Sequence, residues 1–130
     1  MSVVSKEKLV SKKRLINSFK YAIEGIKTAY QEEQNLRLHT ISAIIVVVLG
    51  LVLKLSVIEL SICLILIGLV LMAEFFNTAL ENMVDMITLE KNPYAKKAKD
   101  ISAAGVLVFA IVSGLIGILI FVPKIIEWIK

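Results

Sequence analysis

An all-α integral membrane protein is the fold class this sequence predicts, and three observations carry the prediction. The 130 residues are 58% hydrophobic and only 20% charged. Three stretches approach or exceed the ~20 apolar residues needed to cross a hydrocarbon core. A fourth segment, ahead of them, repeats its apolar residues at helical spacing. Together these predict three transmembrane helices plus an N-terminal amphipathic surface helix, in a single domain covering residues 1–130.

Residues 1–12 read as a mobile basic leader; the first 40 residues are charged and lack a small-residue cleavage site, so no signal peptide is expected. The surface helix is expected over 13–34. Leu15, Ile16, Phe19, Ala22, Ile23, Ile26, Ala29 and Tyr30 form its apolar face, with Lys13, Asn17, Lys20, Glu24, Lys27 and Gln31 opposite. Such a helix suits the membrane interface, and packing against the spans is equally compatible. The first span is expected over 36–55, around the apolar core Ile44–Leu53. The second is expected over 57–87. The third is expected over 93–122, starting at Asn92-Pro93, a good N-cap followed by proline at the first helical position. From Ile101 to Val122 it carries no charge.

The net charge of +4 is unevenly spread, and eight of the fifteen basic residues lie before or at the very start of the first span, from Lys6 to Arg37. The turn after that span carries only Lys54, whereas the next connection carries Lys91, Lys96, Lys97 and Lys99. The positive-inside rule places the N-terminus and the second connection in the cytoplasm and the C-terminus outside. The basic balance thus reflects topology and anionic lipid, not nucleic-acid binding. Cys63, the single cysteine, is expected to be a buried small apolar residue.

The most informative residues are Glu74, Asn77, Glu81 and Asp85. At about 100° per residue they fall within roughly 80° of one another, a polar stripe about 16 Å long. Acidic groups where a span meets water are costly unless they face protein, a cation or a substrate. The stripe holds no Lys or Arg, which suits a hard cation or a metal–polyphosphate better than an ion-paired surface. Glu32, Glu33 and Arg37 lie just before or at the start of the first span, and Lys96, Lys99 and Asp100 lie in the cytoplasmic extension of the third helix, just before its uncharged stretch. Three charged clusters are therefore expected at one depth, on the cytoplasmic side.

At that depth a lipid headgroup can meet a cytosolic substrate. Glu33 and Glu81 suit Mg²⁺, which takes one or two carboxylates and fills its other positions with water and phosphate oxygens. Lys99 and Arg14 suit phosphate contacts. Glu74 lies deepest, and a carboxylate stripped of water is the better base for a lipid hydroxyl. This is an inventory for phosphoryl transfer. Soluble-kinase signatures are absent: no GxxxxGK[ST], no GxGxxG, no HRD or DFG, and six glycines scattered at 25, 50, 68, 105, 114 and 117. His39 has no second His or Cys nearby and reads as an interfacial residue. An ion-conducting oligomer and a non-enzymatic anchor are the other classes. The first lacks polar residues continuing the stripe across the span, and the second leaves the shared depth of the clusters unexplained.

The run from Glu74 to Asp85 resembles the E-x-x-N-[ST]-A-[IL]-E-x-x-V-D signature of the prokaryotic diacylglycerol kinase family, which includes undecaprenol kinases of Gram-positive bacteria. The likeness extends from about Arg14 to Val122, through Tyr21, Gly25, Glu33, Arg37 and Ala98-Lys99-Asp100. It implies a homotrimer in the bacterial plasma membrane, with active sites shared between subunits at the cytoplasmic surface. It implies Glu74 as catalytic base, Asn77 as an orienting residue, and Glu33 and Glu81 as magnesium ligands. Arg14, Tyr21, Lys99 and Asp100 resemble ATP contacts, as do Glu90, Lys91 and Asn92 in the connection. Ala103 matches a position beside the lipid. The chain departs from the enterobacterial pattern over 90–98 and around Glu32 and His39. The Glu-Glu-x-Asn-Leu-Arg-x-His run and the Asn92–Lys99 connection look like the Gram-positive branch, so undecaprenol is the expected lipid alcohol, with diacylglycerol as the alternative.

Overall fold

A computed structural model of the protein describes residues 3–130, with side chains from Ser11 onward. The described residues form four α-helices: α1 (Val3–Glu32), α2 (Gln34–Val52), α3 (Val57–Ile87) and α4 (Pro93–Ile129). The last three are each long and apolar enough to cross a membrane. The chain divides into two compact units, residues 1–34 and 35–130.

The first unit is essentially α1. It begins at Val3 rather than near Lys13. Residues 3–12 contain no Gly or Pro and several good helix formers, so nothing in them stops the helix from extending. Residues 1 and 2 of the expected leader lie outside the described residues. Leu15, Ile16, Phe19, Ile23 and Ile26 are all exposed. Lys20 and Glu24 pair one turn apart at 4.0 Å. The helix closes with the Glu33 amide donating to the Ala29 carbonyl at 2.8 Å, and Glu33 alone separates α1 from α2.

In the second unit α2 ends at Val52, short of the expected Leu55, because residues 53–56 are needed to reverse the chain. The Leu55 amide donates to Gly50 O at 2.9 Å and the Lys54 amide to Leu51 O at 3.2 Å. This is a Schellman arrangement with Lys54 in the left-handed position, at φ 55°. Gly50 is buried here, and a Cβ on it would lie 3.4 Å from Leu55 Cδ2, 3.6 Å from Leu60 Cδ1 and 4.0 Å from Phe121 Cζ. All three membrane-length helices thus approach one another where a side chain is missing.

Ser56 then starts α3 with a capping box. Its Oγ accepts from the Glu59 amide at 3.2 Å, and its own amide donates to Glu59 Oε2 at 2.7 Å. The helix spans Val57–Ile87, as expected. Asn92 caps α4 as expected, its Oδ1 accepting from the amides of Tyr94 at 2.8 Å and Ala95 at 3.3 Å, with Pro93 in the first turn. The helix runs past the expected Val122 to Ile129 and contains Pro123. Proline there deletes one backbone donor, a loss that helices of membrane length tolerate when the neighbouring bonds persist. The main helix–helix interface is between α3 and α4. Ion pairs join both ends of it: Lys124 Nζ to Glu59 Oε2 at 3.5 Å, and Lys99 Nζ to Asp85 Oδ1 at 2.6 Å. The two helices therefore run antiparallel along their length. Cys63 is buried and free.

Candidate functional site

The polar stripe lies on one face of α3 and grades from dry to wet. Glu74 is 2% exposed and Asn77 6%. Glu81 is half-buried and Asp85 exposed. Helical spacing sets this order, since the four side chains share a face while the helix leaves its apolar surroundings. Asn77 Nδ2 donates to Glu81 Oε1 at 3.1 Å. Among the described residues no donor reaches the buried Asn77 Oδ1. Thr78, also buried, donates its hydroxyl to the Glu74 carbonyl at 2.9 Å and so adds no charge to the face.

Sequence reasoning passed over one member of this site. His39, on α2, places Nε2 3.2 Å from Glu74 Oε1. A carboxylate this dry needs a polar partner, and an imidazole a few residues into the first span lies at a suitable depth. That depth was the available signal. No second His or Cys lies near it in the sequence, because its partner is a carboxylate on another helix. His39 also lines an apolar cavity of about 360 Å³ between α2, α3 and α4, which extends to Cys63 and Phe121. His39 therefore stands between an apolar space and the Glu74 carboxylate that it contacts. Ala103 does not line it; that residue is exposed on α4.

The α3–α4 connection gathers a second set. Glu90, Lys91, Asn92, Lys99 and Asp85 line an open pocket of about 600 Å³. The bond to Asp85 raises the Lys99 pKa above its ordinary value, in a residue that precedes the uncharged stretch from Ile101. Asp100 pairs with Lys96 instead. The Asn92 side-chain oxygen is committed to the helix cap, leaving its amide nitrogen for a ligand. On the first unit, Arg14 and Tyr21 share a hollow of about 470 Å³ with Lys13, Asn17 and Ser18. Glu33 is half-buried in the link after α1.

Among the described residues, no three His, Cys, Asp or Glu side chains gather at metal-binding distances. The half-buried Glu81 carboxylate nevertheless suits Mg²⁺, which takes one or two protein carboxylates and completes its shell with water and phosphate.

The sequence profile described as prokaryotic diacylglycerol kinase matches residues 20–121. The chain belongs to this family. It is 43% identical over 112 residues to the undecaprenol kinase of Bacillus subtilis, covering 86% of this chain and 91% of that one. It is 33% identical over 114 residues to the diacylglycerol kinase of Synechocystis, covering 87% of this chain and 65% of the relative. It is 34% identical over 109 residues to the diacylglycerol kinase of Haemophilus influenzae, covering 82% and 92%. The family match takes in α2 and α3 whole, so the stripe and His39 both fall within it.

Proposed function

We propose that this chain is a lipid kinase that transfers the γ-phosphate of ATP to undecaprenol, giving undecaprenyl phosphate and ADP. The observation that carries the reading is the nearly dry Glu74 carboxylate, at the head of the Asn77–Glu81–Asp85 stripe and paired with His39, which lines an apolar cavity. A lipid alcohol can bring its hydroxyl there while its chain stays in apolar surroundings. Glu74 takes the hydroxyl proton as the oxygen attacks phosphorus. Asn77 orients the reacting groups through its unpaired Oδ1. Lys99, Glu90, Lys91, Asn92 and Asp100 hold the nucleotide, with Arg14 and Tyr21 contributing from α1. Glu33 and Glu81 are the residues that would hold Mg²⁺, which when bound would supply charge neutralisation for the phosphate oxygens. Ala103 lies beside the lipid.

In this reading α1 lies in the cytoplasmic interface of the bacterial plasma membrane, with its exposed apolar side chains toward lipid or neighbouring helices. The N-terminus and site are cytoplasmic and the C-terminus is outside, supported by the distribution of Lys and Arg. One copy leaves most of the apolar surface of its membrane-length helices uncovered, which supports assembly of several copies, three by family resemblance. The whole chain acts as one membrane-embedded domain.

Diacylglycerol is the second substrate reading, favoured by the kinases of that name at 33% and 34% identity. The choice of undecaprenol rests on the higher identity to the Bacillus subtilis relative. The test is kcat/KM for both lipids under one detergent and Mg-ATP condition. Undecaprenol is expected to be preferred by at least about tenfold, equivalent to about 1.4 kcal/mol. Equal or reversed preference contradicts the substrate assignment, and transfer to neither contradicts the kinase assignment.

A further inference from the structure

We infer that His39 is a positioning residue for Glu74: its Nε2–H holds Oε1 and thereby fixes the carboxylate that receives the lipid proton. This rests on the kinase reading above and adds a residue to it from a different helix.

The Glu74 side chain is 3% exposed and the His39 side chain 30%. A glutamate has three rotatable bonds, and burial alone does not choose among their staggered combinations. A directional donor does, provided that it is itself held. His39 has only two such bonds, and its ring stands in the wall of the apolar cavity with Ser42, Ala43, Val70 and Leu71. With a proton on Nε2, the imidazole donates to Oε1 across the 3.2 Å gap. The bond also joins α2 to α3 at the reacting carboxylate, so movement of α2 bears directly on the aim of the base. A misplacement of about 1 Å at a reacting group costs about a hundredfold in rate, which bounds the effect expected here.

The test compares H39A, H39Q and H39N in the full-length protein in detergent, with initial rates over both substrate concentrations. The glutamine amide nitrogen can occupy nearly the place of Nε2, whereas that of asparagine falls near Nδ1 and short of Glu74. H39A is expected to lower kcat by about tenfold or more, with both KM values within about twofold. H39Q is expected to recover most of that loss and H39N little of it. Should H39A fail to elute as the wild type does, the comparison of H39Q with H39N carries the test. The inference is overturned by H39A with wild-type kcat, by a loss confined to the KM for lipid, or by H39N matching H39Q. Wild-type protein that transfers no phosphate removes the kinase reading itself. Active wild type with an indifferent H39A removes only the role of His39.

Discussion

At 2% exposure, Glu74 keeps its carboxylate out of water, and the chemistry proposed for it depends on how that isolation is managed. Removing the charge while keeping the shape isolates the proton-accepting role. Glu74→Gln is therefore expected to lower kcat by about a hundredfold or more, the range of a lost general base. Its thermal midpoint is expected to stay close to wild type, because the amide oxygen still accepts from His39. A midpoint lowered as far as the activity would instead point to a structural role, and paired unfolding and rate measurements distinguish the two. Asn77 offers a second test at this scale. Asn77→Ala removes both the bond to Glu81 and the buried unpaired oxygen, so stability is expected to change little while kcat falls. The stripe itself was legible in the sequence, since four polar residues at helical offsets in an apolar run leave few other arrangements. Its partner was not, because the contact from His39 depends on how α2 and α3 meet, which spacing within one helix does not encode.

Among the elements, helix ends were read unevenly, for physical reasons that differ from end to end. Asn92-Pro93 announced the start of α4 through residue type alone. Ser56 and Glu59, three apart, are an equally readable capping box, and they explain why α3 begins where it does. Ser56→Ala is expected to cost about 1 kcal/mol, seen as a lower denaturation midpoint with kcat unchanged. The end of α2 was obscured because Lys54, not glycine, takes the left-handed position. Glycine there avoids a steric cost of about 1–2 kcal/mol, partly offset by its freedom in the unfolded chain. Lys54→Gly is thus expected to raise stability by about 1 kcal/mol or less, and a lower midpoint would contradict the turn geometry. The extension of α4 through Pro123 was hidden for the opposite reason. Proline reads as a stop in a soluble helix, yet a helix of membrane length keeps its remaining bonds for want of any other partner.

For the whole molecule, the three membrane-length helices were legible from length and hydropathy, whereas the choice of α3 and α4 as the main interface was not, because the α2–α3 connection is just as short. How many copies assemble was not legible, because an apolar face is written in the same residues whether lipid or another helix covers it. The assembly account predicts a detergent-solubilised mass of three chains by light scattering with detergent subtracted; a monomer would contradict it. Topology is testable with single cysteines introduced at Lys13 and Lys130 in a Cys63→Ala background. A membrane-impermeant thiol reagent added to intact cells is expected to label position 130 and not position 13.

In the proposed reaction, a buried carboxylate, Glu74, and a second carboxylate assigned to Mg²⁺, Glu81, act from one face of α3 in phosphate transfer to a lipid alcohol. Rates of transfer from ATP to undecaprenol across a Mg²⁺ series, for wild type, Glu74→Gln and Glu81→Gln, test it most directly. Glu81→Gln is predicted to recover part of its lost rate as Mg²⁺ rises, while Glu74→Gln stays about a hundredfold down at every concentration. Full turnover by Glu74→Gln, or an equal Mg²⁺ response from both variants, would contradict the account.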